Sequence, residues 1–275
     1  MSIIMKCPDI ALGLAGNGFA VGKSGSAGSI VFTQNLPQGG FSTLNDGFYA
    51  SAFFYLPGSV TPGALYFLNS QFWQNSGTNR GVLWSVNIDG SDSKFQILFN
   101  NDASNSGTYT ATVPTSSVTN NAWHHILIAH SGNSGYGTKA YFDDSAVTAA
   151  ETGSLTNLTA ILTDDSMIGG FFDTSGNPVG SANGIAYQNI YFSRYGADDP
   201  ATESNRRKFI NADGTPASGT PILPSVASAG DGLPNMFVSG NKDSVDNFEN
   251  PADAGSYSIT RTNIFAGPSV KIDVS

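Results

Sequence analysis

The chain has 275 residues, 40% of them hydrophobic and only 12% charged, which is enough apolar material for one large core and excludes a disordered chain. Its 32 glycines and 13 prolines, many beside Asn, Asp and Ser, put a turn signal at short intervals along most of the sequence. That spacing favours an all-β architecture and nearly excludes long helices.

The formal charge of -9 repels phosphate backbones, and the basic run Arg206-Arg207-Lys208 reads as the solvated last turn of a short helix, where cations favour the carbonyl end. No nucleic-acid partner is therefore expected. The single cysteine, Cys7, cannot form an intrachain disulfide, so the fold must stand on its core in any redox compartment. Residues 10–15 are apolar, but Lys6, Pro8 and Asp9 precede them and no basic region leads in, so a cleaved leader is not expected. No stretch reaches the roughly 20 apolar residues of a membrane span, and no membrane partner is expected.

Nine segments rich in β-branched and aromatic residues, bounded by Gly, Asn, Asp or Pro, read as strands: 29–33, 48–56, 64–68, 82–88, 95–99, 108–113, 123–130, 138–142 and 184–192. In 123–130, Trp123, His125, Leu127 and Ala129 fall on one face and His124, Ile126, Ile128 and His130 on the other. Both faces carry apolar residues, so this strand is expected to be central and covered on both sides. Two stacked sheets satisfy that pattern without any helix.

The composition shifts near Gly196. The last 80 residues hold seven of the 13 prolines but only five of the 31 aromatics, so they cannot build a core of their own. One short helix is expected, with Asp199 as N-cap, Pro200 at its first position and an end by residues 211–214. The rest reads as an extended irregular C-terminal tail with a strand near 257–262, pinned along the sandwich or against another chain. The division is thus a sandwich over 1–195 and a helix plus extended arm over 196–275, with Arg206, Arg207, Phe209, Phe237 and Phe248 as candidate contact residues.

Asn121-Ala122-Trp123-His124-His125-Ile126 resembles the strand opening of laminin-G-like and concanavalin A-like domains, where a Trp-His-His-hydrophobic run follows a polar turn. Lys139-Ala140-Tyr141-Phe142-Asp143-Asp144 is similar to their Lys-hydrophobic-Tyr-hydrophobic-Asp-Gly hairpin, with Asp144 where Gly is usual. Ile168-Gly169-Gly170 followed by the run from Asn183 to Tyr191 resembles their closing strands, without the acidic residues usual where Ala186, Tyr187 and Gln188 stand. The match spans roughly residues 81–195. It implies a jelly-roll sandwich of two antiparallel sheets and no single activity, since that scaffold carries lectins, hydrolases, adhesion modules and virion proteins. Residues 209–216, Phe-Ile-Asn-Ala-Asp-Gly-Thr-Pro, resemble an extension that follows such sandwiches in structural proteins of tailed bacteriophages.

Little in the sequence points to catalysis. A glycoside hydrolase needs two carboxylates about 5 to 10 Å apart, whereas Glu151, Glu203 and Glu249 stand alone. Asp143-Asp144, Asp164-Asp165 and Asp198-Asp199 are adjacent pairs, which on a strand point to opposite faces, so they read as turn or cap residues. His124 and His130 lie about 20 Å apart on an extended strand, and His124 and His125 face opposite ways, so they cannot share a metal ion. His125 reads as a buried structural histidine.

Calcium, which needs several oxygen ligands, has candidate ligands in Asn87, Asp89 and Asp92, although an Asx-Gly turn has the same sequence. The expectation is no cofactor. Glycan binding has candidate residues in Trp73, Gln74 and Asn75, inside an apparent loop from 69 to 80, and in Tyr136 within the Gly-rich turn 131–137.

These observations and the resemblance together lead to a non-enzymatic structural or decorating protein of a bacteriophage virion, at the capsid surface rather than the tail. Its expected partners are other virion proteins, further copies of itself and, weakly, cell-surface glycan. The alternatives are a carbohydrate-binding or adhesion module of a cellular or secreted protein and, last, a divergent hydrolase.

Overall fold

The computed structural model describes residues 17–21, 29–33, 47–56, 58, 65–75, 78–89, 91–102, 105–132, 135–153, 166–172, 178–180, 185–193, 196–218, 221–228, 236–239, 247–248, 258–262 and 264–269. In chain order the strands are β1 (Asn17–Val21), β2 (Ser29–Thr33), β3 (Phe48–Tyr55), β4 (Leu65–Asn75), β5 (Thr78–Asp89) and β6 (Asp92–Asp102). They continue with β7 (Asn105–Pro114), β8 (Trp123–His130), β9 (Thr138–Phe142), β10 (Ser145–Gly153), β11 (Ser166–Ile168) and β12 (Gly170–Phe172). The last are β13 (Pro178–Gly180), β14 (Ile185–Ser193), β15 (Met236–Ser239), β16 (Asn247–Phe248), β17 (Ser258–Thr262) and β18 (Ile264–Ser269). Two one-turn helices, α1 (Glu203–Arg206) and α2 (Pro224–Ala227), fall between β14 and β15. No helix among the described residues is long and apolar enough to cross a membrane.

Apart from β12 and β13, which pair with each other, the strands form two antiparallel layers. Sheet I runs β16-β15-β14-β3-β8-β9-β10, with β1 also on β14 and β18 on β1, and sheet II runs β10-β7-β6-β5-β4-β11-β2-β17. β10 belongs to both, because its first residues, 145–147, pair with β9 and the following residues, 148–153, pair with β7. One strand thereby turns the corner of the sandwich.

Alternation along the strands sorts the side chains between the layers. On β3, Phe48, Ala50, Ala52 and Phe54 point inward and meet Phe95, Ile97 and Phe99 of β6 and Tyr109 of β7 in the main core. The ring of Phe54 lies 5.4 Å from Phe95, and Phe48 packs edge-on against Tyr109 at 4.8 Å. Such tilted and edge-on contacts suit the ring quadrupole and each contribute beyond the area they bury.

β8 spans the residues expected and is buried on both faces. Its inward residues, Ile126 and Ile128, join the main core, while Trp123 and Leu127 enter two smaller clusters on the outer face of sheet I. The helix-bearing segment 196–228 supplies what covers that outer face, as Phe209, Ile210 and Leu223. An antiparallel sheet is usually solvated on one side, and sheet I escapes that because the chain folds back over it.

Where residues beyond 228 are described, they are strand and not irregular. Within 236–269, β15 pairs with β14, β16 with β15, β17 with β2 and β18 with β1, so its described residues extend both sheets. Few aromatics are needed for this, since the ladder itself satisfies the backbone polar groups. The strand expected near 257–262 is β17. The helix is also shorter than expected: Thr202 is its N-cap, and Asp199 instead accepts from the Ala201 N–H at 2.8 Å in the turn before it.

Candidate functional site

A cluster of hydrogen bonds and ion pairs lies where segment 196–228 crosses sheet I. The β9–β10 turn provides one side of it. Asp143 and Asp144 have φ of 47° and 63°, the left-handed pair that a tight hairpin of matching twist requires. Both carboxylates are engaged. Asp143 accepts from the His125 N–H at 2.7 Å and bonds the His124 Nδ1 at 2.7 Å, and the opposite nitrogen of that ring lies 3.0 Å from the Thr119 carbonyl. Asp144 accepts from Arg206 at 2.9 Å and lies 2.7 Å from Arg207, with all three side chains largely withdrawn from water. Burial alone would raise the Asp144 carboxyl, but the hydrogen bonds and charges of the two arginines outweigh it and hold the group below the usual carboxylate range.

A second fastening sits one strand-end away. Lys139 donates to Asp199 at 2.7 Å, and these bonds together with the Ala201 N–H keep the Asp199 carboxyl low against the opposing effect of burial. Asp198 accepts from the backbone N–H of Ser225 at 2.9 Å and from its hydroxyl, which caps α2. Its carbonyl accepts from the Tyr49 hydroxyl, and the Gly196 carbonyl accepts from the Tyr136 hydroxyl. Burial raises both phenols, so they remain protonated donors. Farther along, the Asn189 amide reaches the Ala217 carbonyl at 3.4 Å from a bulge in β14.

Apolar contacts lie between these fastenings. Phe209 stacks on Tyr49 with ring centres 5.8 Å apart and meets the edge of Tyr191 at 4.9 Å. Arg206 lies 4.5 Å above the ring of Tyr141. Residues 209–216, the stretch with the bacteriophage resemblance, form a closed turn: Ile210 bridges Pro216, and the Asn211 amide donates to the Thr215 hydroxyl at 2.9 Å. Gly214 supplies the positive φ of 79° that this turn needs.

His125 is the buried structural histidine expected from sequence. It is 1% exposed, its Nε2 lies 2.8 Å from the Ser51 hydroxyl, and its ring is 4.5 Å from Phe53. Burial pushes its pKa down to about 3, with the Asp144 charge acting weakly in the other direction.

The candidate contact residues divide. Arg206, Arg207 and Phe209 make contacts inside the chain, on Asp144, Tyr49 and Tyr191, which is packing along the sandwich. Phe237 and Phe248 lie on β15 and β16, in register with Tyr191 and Val238. Trp73, Gln74 and Asn75 are not in a loop: they form the last residues of β4, where Asn75 pairs with Thr78 of β5. Tyr136 is half-buried, tied to Gly196 and with Lys139 5.3 Å from its ring. Asn87, Asp89 and Asp92 lie on the β5–β6 hairpin, where Asp89 pairs directly with Asp92 across a two-residue turn. Among the described residues no group of three His, Cys, Asp or Glu side chains could hold a metal ion. Sequence reasoning missed Asp144 and Lys139 as fastening residues. The one signal available was an aspartate at a turn position that ordinarily holds glycine.

No protein-family model matches the chain, and no curated protein matches it. Solved structures do. Full-length tailspike protein 2 from Escherichia coli O157:H7 bacteriophage CAB120 is 10% identical with a TM-score of 0.40, covering 68% of this chain and 27% of that one. The binding domain of botulinum neurotoxin serotype D is 14% identical with a TM-score of 0.43, covering 72% of this chain and 45% of that one. A botulinum neurotoxin type C structure, described in terms of interaction with two ganglioside molecules, is 13% identical with a TM-score of 0.42, covering 66% and 39%. The chain spans less than half the length of each.

Proposed function

We propose that this chain is a non-enzymatic structural or decorating protein of a bacteriophage virion, at the capsid surface rather than the tail, built on a laminin-G-like, concanavalin A-like jelly roll. The observation that carries the reading is how its charged groups are used. Asp143, Asp144, Asp198 and Asp199 each bind a partner that holds segment 196–228 or the β8 backbone in place. Carboxylates so engaged are poor acids and bases, since each proton they take up breaks a structural contact. The resemblance of residues 209–216 to a bacteriophage extension supports the virion assignment.

The protein needs no cofactor in this reading, and its partners are other virion proteins and further copies of itself. The β4–β5 hairpin tip, with Trp73, Gln74 and Asn75, provides weak adhesion to cell-surface glycan, which many copies on one particle turn into useful avidity. Mass spectrometry and electron microscopy of purified particles from the phage encoding this chain test the assignment. The expected result is a fixed copy number per particle with density on the capsid exterior. A chain absent from the particle, or a soluble monomer that binds glycan, would replace this reading with a carbohydrate-binding module.

A further inference from the structure

We infer that segment 196–228 is an acid-opened cover over the outer face of sheet I, with His125 as the proton acceptor that favours the open state. His125 lies on β8 between Trp123 and Leu127, all three facing outward. Trp123 packs in the cluster that contains Ile210, and Leu127 in the cluster that contains Phe209. Two consecutive residues of the covering segment therefore close the face on either side of the imidazole. Its Nε2 has Ser51, while its Nδ1 is buried without a hydrogen-bond partner. The closed state can hold the ring only as the neutral base, because a second N–H would have no acceptor and the charge no solvent.

The charged and titratable groups around it do not offset this. Asp143 meets only the backbone N–H of His125 and turns its other oxygen to His124, on the opposite side of the sheet. Asp144 is neutralised by Arg206 and Arg207, with Glu203 pairing Arg207 from the other side. From β9, Lys139 is spent on Asp199, and Tyr141 carries Arg206 on its ring. Tyr49 of β3 and Tyr191 of β14 are phenols that burial keeps protonated.

Lifting the cover gives the imidazole water and lets it ionise near its ordinary pKa, so acid favours the open form. The sign follows from proton binding: the open state binds the extra proton between pH 6.5 and about 3, so closure weakens as pH falls through that window. Each pH unit below 6.5 shifts the opening equilibrium by about tenfold. The Asp144 and Asp199 carboxyls, held below the usual carboxylate range by their arginine and lysine partners, take up protons only at lower pH and then act in the same direction. Opening bares Tyr49, Phe53, Trp123, Leu127 and Tyr191 together.

Hydrogen exchange on the full chain at pH 7, 5.5 and 4.5, expressed as protection factors, tests this. Protection over residues 206–210 is expected to fall by about a hundredfold between pH 7 and 4.5, while residues 95–99 of the core keep theirs. H125Q, which cannot titrate, should flatten the dependence. Should that variant fail to fold, the titration of the His125 ring in the unaltered chain, followed by NMR, is expected to track the loss of protection. Constant protection over 206–210, an equal fall in 95–99, an unchanged pH dependence in folded H125Q, or a ring that ionises while 206–210 stays protected would each overturn the inference.

Discussion

The Asp144 carboxylate and the Arg206 guanidinium meet at 2.9 Å across 62 residues of chain. Asp144 does so from a left-handed position, φ 63°, that glycine adopts freely and that costs an aspartate on the order of 1 kcal/mol. The clasp offsets that strain. Replacing Asp144 by Asn keeps the strain and removes the charge between the two guanidiniums, leaving Arg207 with Glu203 as its carboxylate and Arg206 with the Pro200 and Ala201 carbonyls. D144N is expected to lose about 2 kcal/mol and to melt roughly 4–8 °C lower. D144G loses the same clasp but relaxes the turn, so its melting point should fall less. Differential scanning calorimetry of the two variants checks the order.

Gly47 and Gly196 press against the same carbonyl. A Cβ on Gly47 would lie 2.0 Å from the His130 oxygen, and one on Gly196 would lie 1.9 Å from it. The neighbouring atoms are backbone, so nothing nearby can rotate away. G47A and G196A should each cost more than about 3 kcal/mol, through overpacking and, at Gly47 with φ 72°, through backbone strain as well. Urea titration of each variant measures the loss.

Phe209 is 3% exposed and fills the space between Tyr49 and Tyr191. F209A is expected to cost about 3–4 kcal/mol. Because it loosens the cover rather than the main core, the variant should bind the dye ANS at denaturant concentrations where the near-ultraviolet dichroism of the sandwich persists.

Asn87, Asp89 and Asp92 are spread over a two-residue hairpin, with Asn87 opposite Lys94 and Asp89 opposite Asp92. That arrangement places a cation beside the candidate ligands and gives no long loop to wrap an ion. The melting temperature is expected to be the same in EGTA and in millimolar calcium. A clear drop with EGTA would restore calcium as a structural component.

Much of the sandwich was legible because its strands carry their own signal. Residues 123–130 and 138–142 are strands over the residues expected, since β-branched and aromatic residues there sit between polar turns. The bland reading of Asp143-Asp144 and Asp198-Asp199 as turn and cap residues also matches their local geometry. What was not legible depends on pairing partners. Residues 72–75 and 78–80 hold Gln, Asn, Thr and Arg beside the aromatics, which read as a loop, and they are strand because they pair with each other, from Phe72 opposite Gly81 to Asn75 opposite Thr78. β15, β16 and β18 are short and lack a strong alternation, and they form by adding to edges that already exist. The arginines at 206 and 207 look solvated in sequence because nothing local shows that Asp144 waits for them.

The central claim is that the polar groups of this molecule serve architecture and not turnover. Purified full-length chain incubated with a panel of bacterial surface polysaccharides, with reducing ends measured over time, tests it most directly. The account predicts no release above the rate without protein. Sustained release that one aspartate substitution abolishes, in a variant whose melting curve is unchanged, would contradict it.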